Sequence, residues 1–502
     1  MIRRLLPALV ALVAFSGLAA SACAASHAAD AASPRLQNWT EFGLNPQRSS
    51  STSDATGITA ANVAHLRRVT VKLPGTVDSS PVYLHAARIR GRTVPAAFLD
   101  TTYGRVIAID ADSGAIMWVF TPRGYASWAG TARITVSSPL IDPDGLYIYA
   151  AAPDGRIHKI LIASGREVRG RDWPARVTRE PLHEKLTPSL NIDGPYLIAG
   201  TGGYIGDIPP YQGHIVLIDR SSGRVRSVFN ALCANRRYIQ IPASCPAWGA
   251  AVLSRGGVVV EPGGRRILFV TGNGPYNGRT MFGDAVIELT VPGLRVTQVF
   301  TPPDTRTLDE DDLDLGSVAP ALLGGDRVLI GGKDHRLRLL ALTRLDGRRP
   351  APGLFPLGGE LQTLSFGGNE QGIFTQPAVL RTGRTFGAVV ANTVETAAFT
   401  LRGGLLHTDW KTPTAGTSPV VAGGLVYVYN PEAGGIAVYR FGSGRPLAEL
   451  PGSPGHWNSP IVVDGHIFEP EGDANAHQRS GILDIFSVRS PARAGGTSAP
   501  RS

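Results

Sequence analysis

Apolar runs return along the chain behind the same short signal, a small or polar residue followed by proline. The signals are Ser80-Pro81, Ser138-Pro139, Thr187-Pro188, Ala319-Pro320, Gln376-Pro377, Ser418-Pro419 and Ser459-Pro460. Trp248-Gly249-Ala250 stands where an eighth is missing. Behind each signal a first apolar strand is followed by a second. A third ends in a polar cluster with glycine, and a short fourth closes the unit. Ala108-Ile109-Asp110 runs through Ala111-Asp112-Ser113 to Gly114, and Leu217-Ile218-Asp219 through Arg220-Ser221-Ser222 to Gly223. Weaker copies end at Gly165, Gly347, Gly404 and Gly444. The polar cluster turns the chain, and glycine takes the positive φ that a hairpin needs. Between the turns the runs are β-branched and aromatic, as in Leu425 to Tyr429 and Ile461 to Ile467.

A repeat of this length, roughly 40 to 70 residues, holds one four-stranded sheet. One such sheet cannot bury both faces alone; stacking the sheets radially buries them and leaves only short edges. The pattern therefore predicts an all-β fold, an eight-bladed β-propeller of four-stranded antiparallel blades over residues 36–489. The segment Leu66 to Leu73 precedes the first signal and is expected to pair into the last blade, closing the ring. The spacing is too long for solenoid rungs, and no second domain is evident.

The ends read differently. Arg3 and Arg4 precede the apolar run Leu5 to Leu18 and the small residues Ala20-Ser21-Ala22, a secretory signal over 1–25. Cys23 leaves a lipid anchor open. Residues 26–35 read as a disordered linker and 490–502 as a disordered tail. Export implies a secreted or periplasmic, cell-envelope location, with no transmembrane helix after cleavage. Of the three cysteines, Cys233 and Cys245 remain, and an oxidising compartment makes a disulfide their natural state. Closing that loop would contribute about 3 kcal/mol in the chain-entropy model. Two free thiols or metal ligands are the alternative.

Composition adds turns: 60 Gly and 38 Pro in 502 residues, with 18% charged. The formal charge of +9 is scattered through turns, with no stripe and no nucleic-acid motif. No Walker loop, no G-x-G-x-x-G before a helix, no G-x-S-x-G elbow and no C-x-x-C-H haem motif occurs.

The specific chemistry lies between 248 and 340. Trp248-Gly249 is followed by F-V-T-G-N-G-P-Y-N-G (269–278), F-G-D-A-V-I-E-L (282–289), F-T-P-P-D (300–304), L-D-E-D-D-L-D-L-G-S (308–317) and G-G-K-D-H-R-L-R-L-L (331–340). In this order the motifs resemble the pyrroloquinoline-quinone (PQQ) dehydrogenases of the quinoprotein alcohol dehydrogenase-like superfamily. N-W-T-E-F-G (38–43) and G-I-T-A-A-N-V-A-H-L (57–66) resemble that family's N-terminal region.

The resemblance implies PQQ and calcium as cofactors. It makes Trp248 the aromatic face under the quinone and Asn273 an amide-oxygen ligand of calcium. Asp309, with Asp311 as fallback, becomes the catalytic carboxylate beside the metal, and Lys333 the cation at the quinone carbonyl. It implies a third metal ligand near Asp207, where the family carries Glu, and it leaves unmatched the family's adjacent cysteines. The same residues have plainer readings: an axial plug for Trp248, a turn amide for Asn273, a solvated loop for the aspartates and a hairpin lysine for Lys333. Two functions follow. One is a PQQ-dependent dehydrogenase of a small alcohol or sugar. The other is a non-catalytic propeller that binds an envelope protein or polymer.

Overall fold

In the computed structural model, the described residues are 37–348, 353–367, 372–383 and 385–488. The signal segment with Cys23, the 26–35 linker and the 490–502 tail lie outside them.

Eight four-stranded antiparallel sheets follow one another along the described residues. Blade 1 spans 82–120, blade 2 140–176, blade 3 191–230 and blade 4 259–300. Blade 5 spans 321–365, blade 6 378–412 and blade 7 420–450. Blade 8 takes three strands from 461–487 and its fourth from Arg67–Leu73, which pairs antiparallel with Gly481–Ser487 residue for residue. The ring closes as the repeat pattern requires. One helical turn, Thr305–Glu310, is the only α-helix among the described residues.

The core lies between neighbouring sheets. Val82, Phe98 and Ala108 of blade 1 meet Ile148, Ala150 and Ile160 of blade 2. Ile461, Phe468 and Leu483 of blade 8 meet the other face of blade 1 at Ala97, Leu99 and Ile107. Alternation sends the two side-chain sets of a strand to opposite faces, and a blade in a ring has a neighbour on each. Tryptophans lock some joints. Trp118 Nε1 donates to Ile162 O at 2.9 Å, and the ring lies where a Cβ on Gly165 would sit 2.8 Å away. Trp410 repeats this with Phe441 O and Gly444.

Before its first blade the chain crosses one end of the ring. Tyr83, Ile141, Val260, Val379 and Val421 donate backbone N–H groups to the carbonyls of Trp39, Thr40, Pro46, Ser49 and Ser50. Ser51–Thr52 then adds a parallel strand to blade 7. At the centre of this strap Arg48 is fully buried. It donates to the carbonyls of Phe42, Ser189, Leu190 and Gly256 and to Glu41 Oε2 at 3.1 Å.

Blade 4 departs from the sequence reading. Its inner strand is Val259–Val260, entered through Arg255-Gly256-Gly257, so Trp248 lies in the loop before it and does not open the strand. Gly257 takes φ +63°, which the fixed negative φ of proline excludes, so X-Pro cannot serve there.

Candidate functional site

Strand direction alternates within every blade, so connections from second to third strand share one end with those from the outer strand to the next blade. That end, here the top, carries the long loops 201–213, 231–258, 271–285 and 301–320. The strap covers the other end, where the short hairpins turn.

Four of these loops enclose a cavity of about 560 Å³, bordered by Asp207, Tyr211, Trp248, Asn273, Asp309 and Asp312. The T-G-N-G turn is its anchor. Asn273 N–H donates to Asp314 Oδ1 at 2.7 Å, and its Nδ2 donates to Asp312 Oδ1 at 2.9 Å. Its backbone carbonyl accepts Ala250 N–H. Gly272 is required by close approach, since a Cβ there would lie 2.0 Å from Asp314 Oδ1. Asn273 Oδ1 is buried with no hydrogen-bond partner. A buried acceptor left unpaired is unusual and marks a place where a donor or cation would fit.

Charge around the turn is organised by one lysine. Lys333 Nζ lies 2.9 Å from Asp312 Oδ1 and 2.6 Å from Asp314 Oδ2. Burial alone would lower its pKa, but the two carboxylates outweigh it and raise it, so the ammonium stays charged. Asp309 moves up from the ordinary carboxylate value because burial outweighs the N–H of Gly274 that it accepts. Beneath the turn Asp284 accepts Leu315 N–H at 3.0 Å, and burial pushes its carboxyl far up.

The structure therefore brings Asp207, Trp248, Asn273 and Asp309 to one cavity, with Lys333 reaching it through Asp312. Asp207 takes positive φ and accepts Tyr211 Oη–H at 2.7 Å. Trp248 is 48% exposed on the rim, its ring centroid 5.8 Å from that of Tyr211. Cys233 and Cys245 are disulfide-bonded, and Cys245 precedes Trp248 by three residues. Asp311 ends the helical turn and does not border the cavity. Sequence reasoning did not assign roles to Asp312, Asp314 or Tyr211. The alternation Asp312-Leu313-Asp314 was a signal, but only Asp312's positive φ turns both carboxylates to one lysine.

A second polar group lies apart from that cavity. Asp78 is buried between Arg255 Nη2 at 2.9 Å and His456 Nδ1 at 2.8 Å, and it accepts Ala474 N–H at 3.1 Å. Burial would raise its pKa, but the charge of Arg255 and the hydrogen bonds from His456 and Ala474 N–H hold it down. Asp473 completes a triad of ligand-type atoms with Asp78 and His456. The guanidinium bonded to Asp78 already neutralises it.

The donor set of the cavity fits a hard cation. It offers an unpaired amide oxygen and the carboxylates of Asp309, Asp207 and Asp312. The paired rings of Trp248 and Tyr211 offer apolar faces to a planar group.

A family model described as outer membrane protein assembly factor BamB matches residues 77–235. A search of curated proteins finds no match. Among solved structures, the quinohemoprotein alcohol dehydrogenase of Comamonas testosteroni superposes with a TM-score of 0.64 at 14% identity, over 90% of this chain and 81% of that one. Quinohemoprotein alcohol dehydrogenase ADHIIG of Pseudomonas putida HK5 gives 0.64 at 12%, over 93% and 82%. A europium-containing methanol dehydrogenase gives 0.62 at 13%, over 90% and 98%. The chain is thus similar in fold to the quinoprotein propellers.

Proposed function

We propose that this chain is an exported quinoprotein-type oxidoreductase, acting on the hydroxyl of a small alcohol or sugar with calcium and PQQ held in the top cavity. The observation that carries the reading is Asn273 Oδ1, buried and unpaired in a cavity bordered by Asp207, Trp248, Asp309 and Asp312. Asn273, Asp309 and Asp207 would hold the cation, and Trp248 would carry the quinone ring. When bound, the cation polarises oxygen and the quinone accepts hydride. Asp309 would take the hydroxyl proton, and burial raises its pKa and so its basicity. Lys333 bridges Asp312 and Asp314 and places positive charge beside the cavity. No helix among the described residues is long and apolar enough to cross a membrane, and electrons would pass to a separate acceptor.

The test adds PQQ and calcium to purified protein and reads retained chromophore, melting temperature and dye reduction with alcohols and aldoses. Asn273→Ala should abolish calcium-dependent retention, and Asp309→Asn should keep retention while lowering turnover about 100-fold or more. Absence of retention at millimolar calcium would discard the reading.

One observation favours a second reading, a binding scaffold at the cell envelope. Leu182, Ile205 and Ile208 are 60%, 61% and 63% exposed on loops of the top end that also carries Trp248. Exposed apolar side chains gathered on one end suit protein contact. This reading predicts that Ile208→Asp weakens partner capture while calcium has no effect.

A further inference from the structure

Three ligand-type side chains at the top end take no part in the oxidoreductase reading. Asp78 stands on the segment that enters blade 1, His456 on the segment that enters blade 8, and Asp473 between the second and third strands of blade 8. One ligand atom of each lies within 4.8 Å of the other two. His456 Nδ1 is 2.8 Å from Asp78 Oδ2 and 3.9 Å from Asp473 Oδ1. Nitrogen and oxygen ligands bound to one tetrahedral ion stand about 3.4 Å apart. The two distances bracket that spacing. Among the described residues no other three His, Cys, Asp or Glu side chains come together in this way.

The seam between blades 8 and 1 holds each of the three in place. Arg255 Nη2 takes Asp78 Oδ1 at 2.9 Å, and Arg255 Nη1 takes the Asp78 carbonyl at 2.7 Å. The guanidinium thus neutralises Asp78 through one oxygen and leaves Oδ2 turned toward the imidazole, with Nη2 3.4 Å from Nδ1. His456 N–H donates to Asn458 Oδ1, and Asn458 Nδ2 donates to the carbonyl of Val77, next to Asp78. Asp473 Oδ1 accepts Asn475 N–H, which fixes its rotamer. Such supporting bonds orient ligands before an ion arrives.

The charge and the opening also suit an ion. Asp473 makes no ion pair with lysine or arginine among the described residues, so its charge is not spent. Asp78 is buried, whereas His456 and Asp473 are half-buried, so one side of the group faces solvent and leaves room for water as a further ligand.

We propose that Asp78, His456 and Asp473 form a three-ligand site for a divalent transition-metal ion of the zinc class. The imidazole decides the class, because calcium takes oxygen ligands whereas zinc and its neighbours take imidazole nitrogen. The ion replaces the proton held between Nδ1 and Oδ2, and that proton leaves to solvent. No oxidant or reductant is consumed. Once bound, the ion ties the entry of blade 1 to blade 8, across the seam where the ring closes. The site uses none of the residues assigned to calcium or the quinone, and the inference does not rest on that reading.

The experiment uses the full chain without an affinity tag, stripped with chelator and dialysed, with neither calcium nor PQQ present. Zinc chloride is titrated by calorimetry, and cobalt chloride by visible absorption. One equivalent of zinc should bind and raise the melting temperature with its concentration. Cobalt should give ligand-field bands that zinc erases, and calcium chloride should do neither. His456→Ala should weaken zinc at least about 100-fold and remove the cobalt bands. Asp473→Asn, at a half-exposed position, should weaken zinc at least about tenfold while the metal-free protein melts as before. His407→Ala, at an exposed histidine, should bind as the unsubstituted protein does. Absence of saturable binding at millimolar zinc overturns the proposal. So does zinc binding that His456→Ala and Asp473→Asn leave unchanged, which would mark an adventitious ion only. The unsubstituted protein and Asp473→Asn decide even if His456→Ala does not fold. Since neither cofactor is present, failure of the oxidoreductase reading produces neither outcome.

Discussion

Several buried carboxyls carry a proton that the unfolded chain would release. Glu41 is pushed up from 4.5 to about 7 by burial, against the pull of Arg48. Burial and Glu288 push Glu261 to about 8, and burial and Asp484 push Glu471 to about 7. Folded pKa values above unfolded ones mean that protonation favours the fold. Their contribution is complete below about 4.5 and is lost as pH rises through 7 to 8. Asp78 acts oppositely, since its held-down pKa contributes stability that disappears as pH falls below the ordinary aspartate range. The melting temperature should therefore peak in mildly acidic buffer, near pH 5, and decline toward pH 8.5; a scan of melting against pH checks this. Glu41→Gln should flatten part of the decline. Arg48→Met leaves Glu41 and four carbonyls without their buried donor, and should destabilise by about 3–5 kcal/mol in denaturant melts.

Among elements, the tryptophan joints and the T-G-N-G turn make separable predictions. Trp118→Ala removes a buried ring and its bond to Ile162, and should destabilise by about 3–5 kcal/mol while leaving calcium affinity unchanged. Gly272→Ala should disturb the site as well as the packing. The added Cβ collides with Asp314 Oδ1 and displaces the carboxylate that Asn273 N–H and Lys333 share. Overpacking there should lower stability by about 1–3 kcal/mol. Calcium binding, measured by calorimetry, should be lost along with it. The two variants together separate the scaffold from the site.

At the scale of the whole ring, closure depends on one seven-residue strand from the far end of the chain. Deleting 67–73 exposes the Gly481–Ser487 edge and one face of blade 8. An unpaired edge invites pairing between molecules. The deletion should convert a monodisperse protein into aggregates on size exclusion and broaden its melt. Deleting 37–52 should act more mildly, since every blade keeps its four strands and only the covered end is opened.

The blades were legible in the sequence because each needs only local information: a period-2 apolar pattern, an X-Pro entry and a glycine turn. The pattern assigns Leu66 to Leu73 to blade 8, and Arg67–Leu73 pairs there. The opening of blade 4 is misplaced at Trp248 because Gly256-Gly257 stands there in place of X-Pro, with Gly257 at a positive φ that the sequence does not announce. The candidate residues Asp207, Trp248, Asn273 and Asp309 could be named from motifs. The tertiary structure alone decided that they border one cavity and that Lys333 binds Asp312 and Asp314. The physical reason is that strand pattern is a property of neighbours in sequence. Desolvation and charge pairing depend on which loops of different blades the closed ring sets side by side.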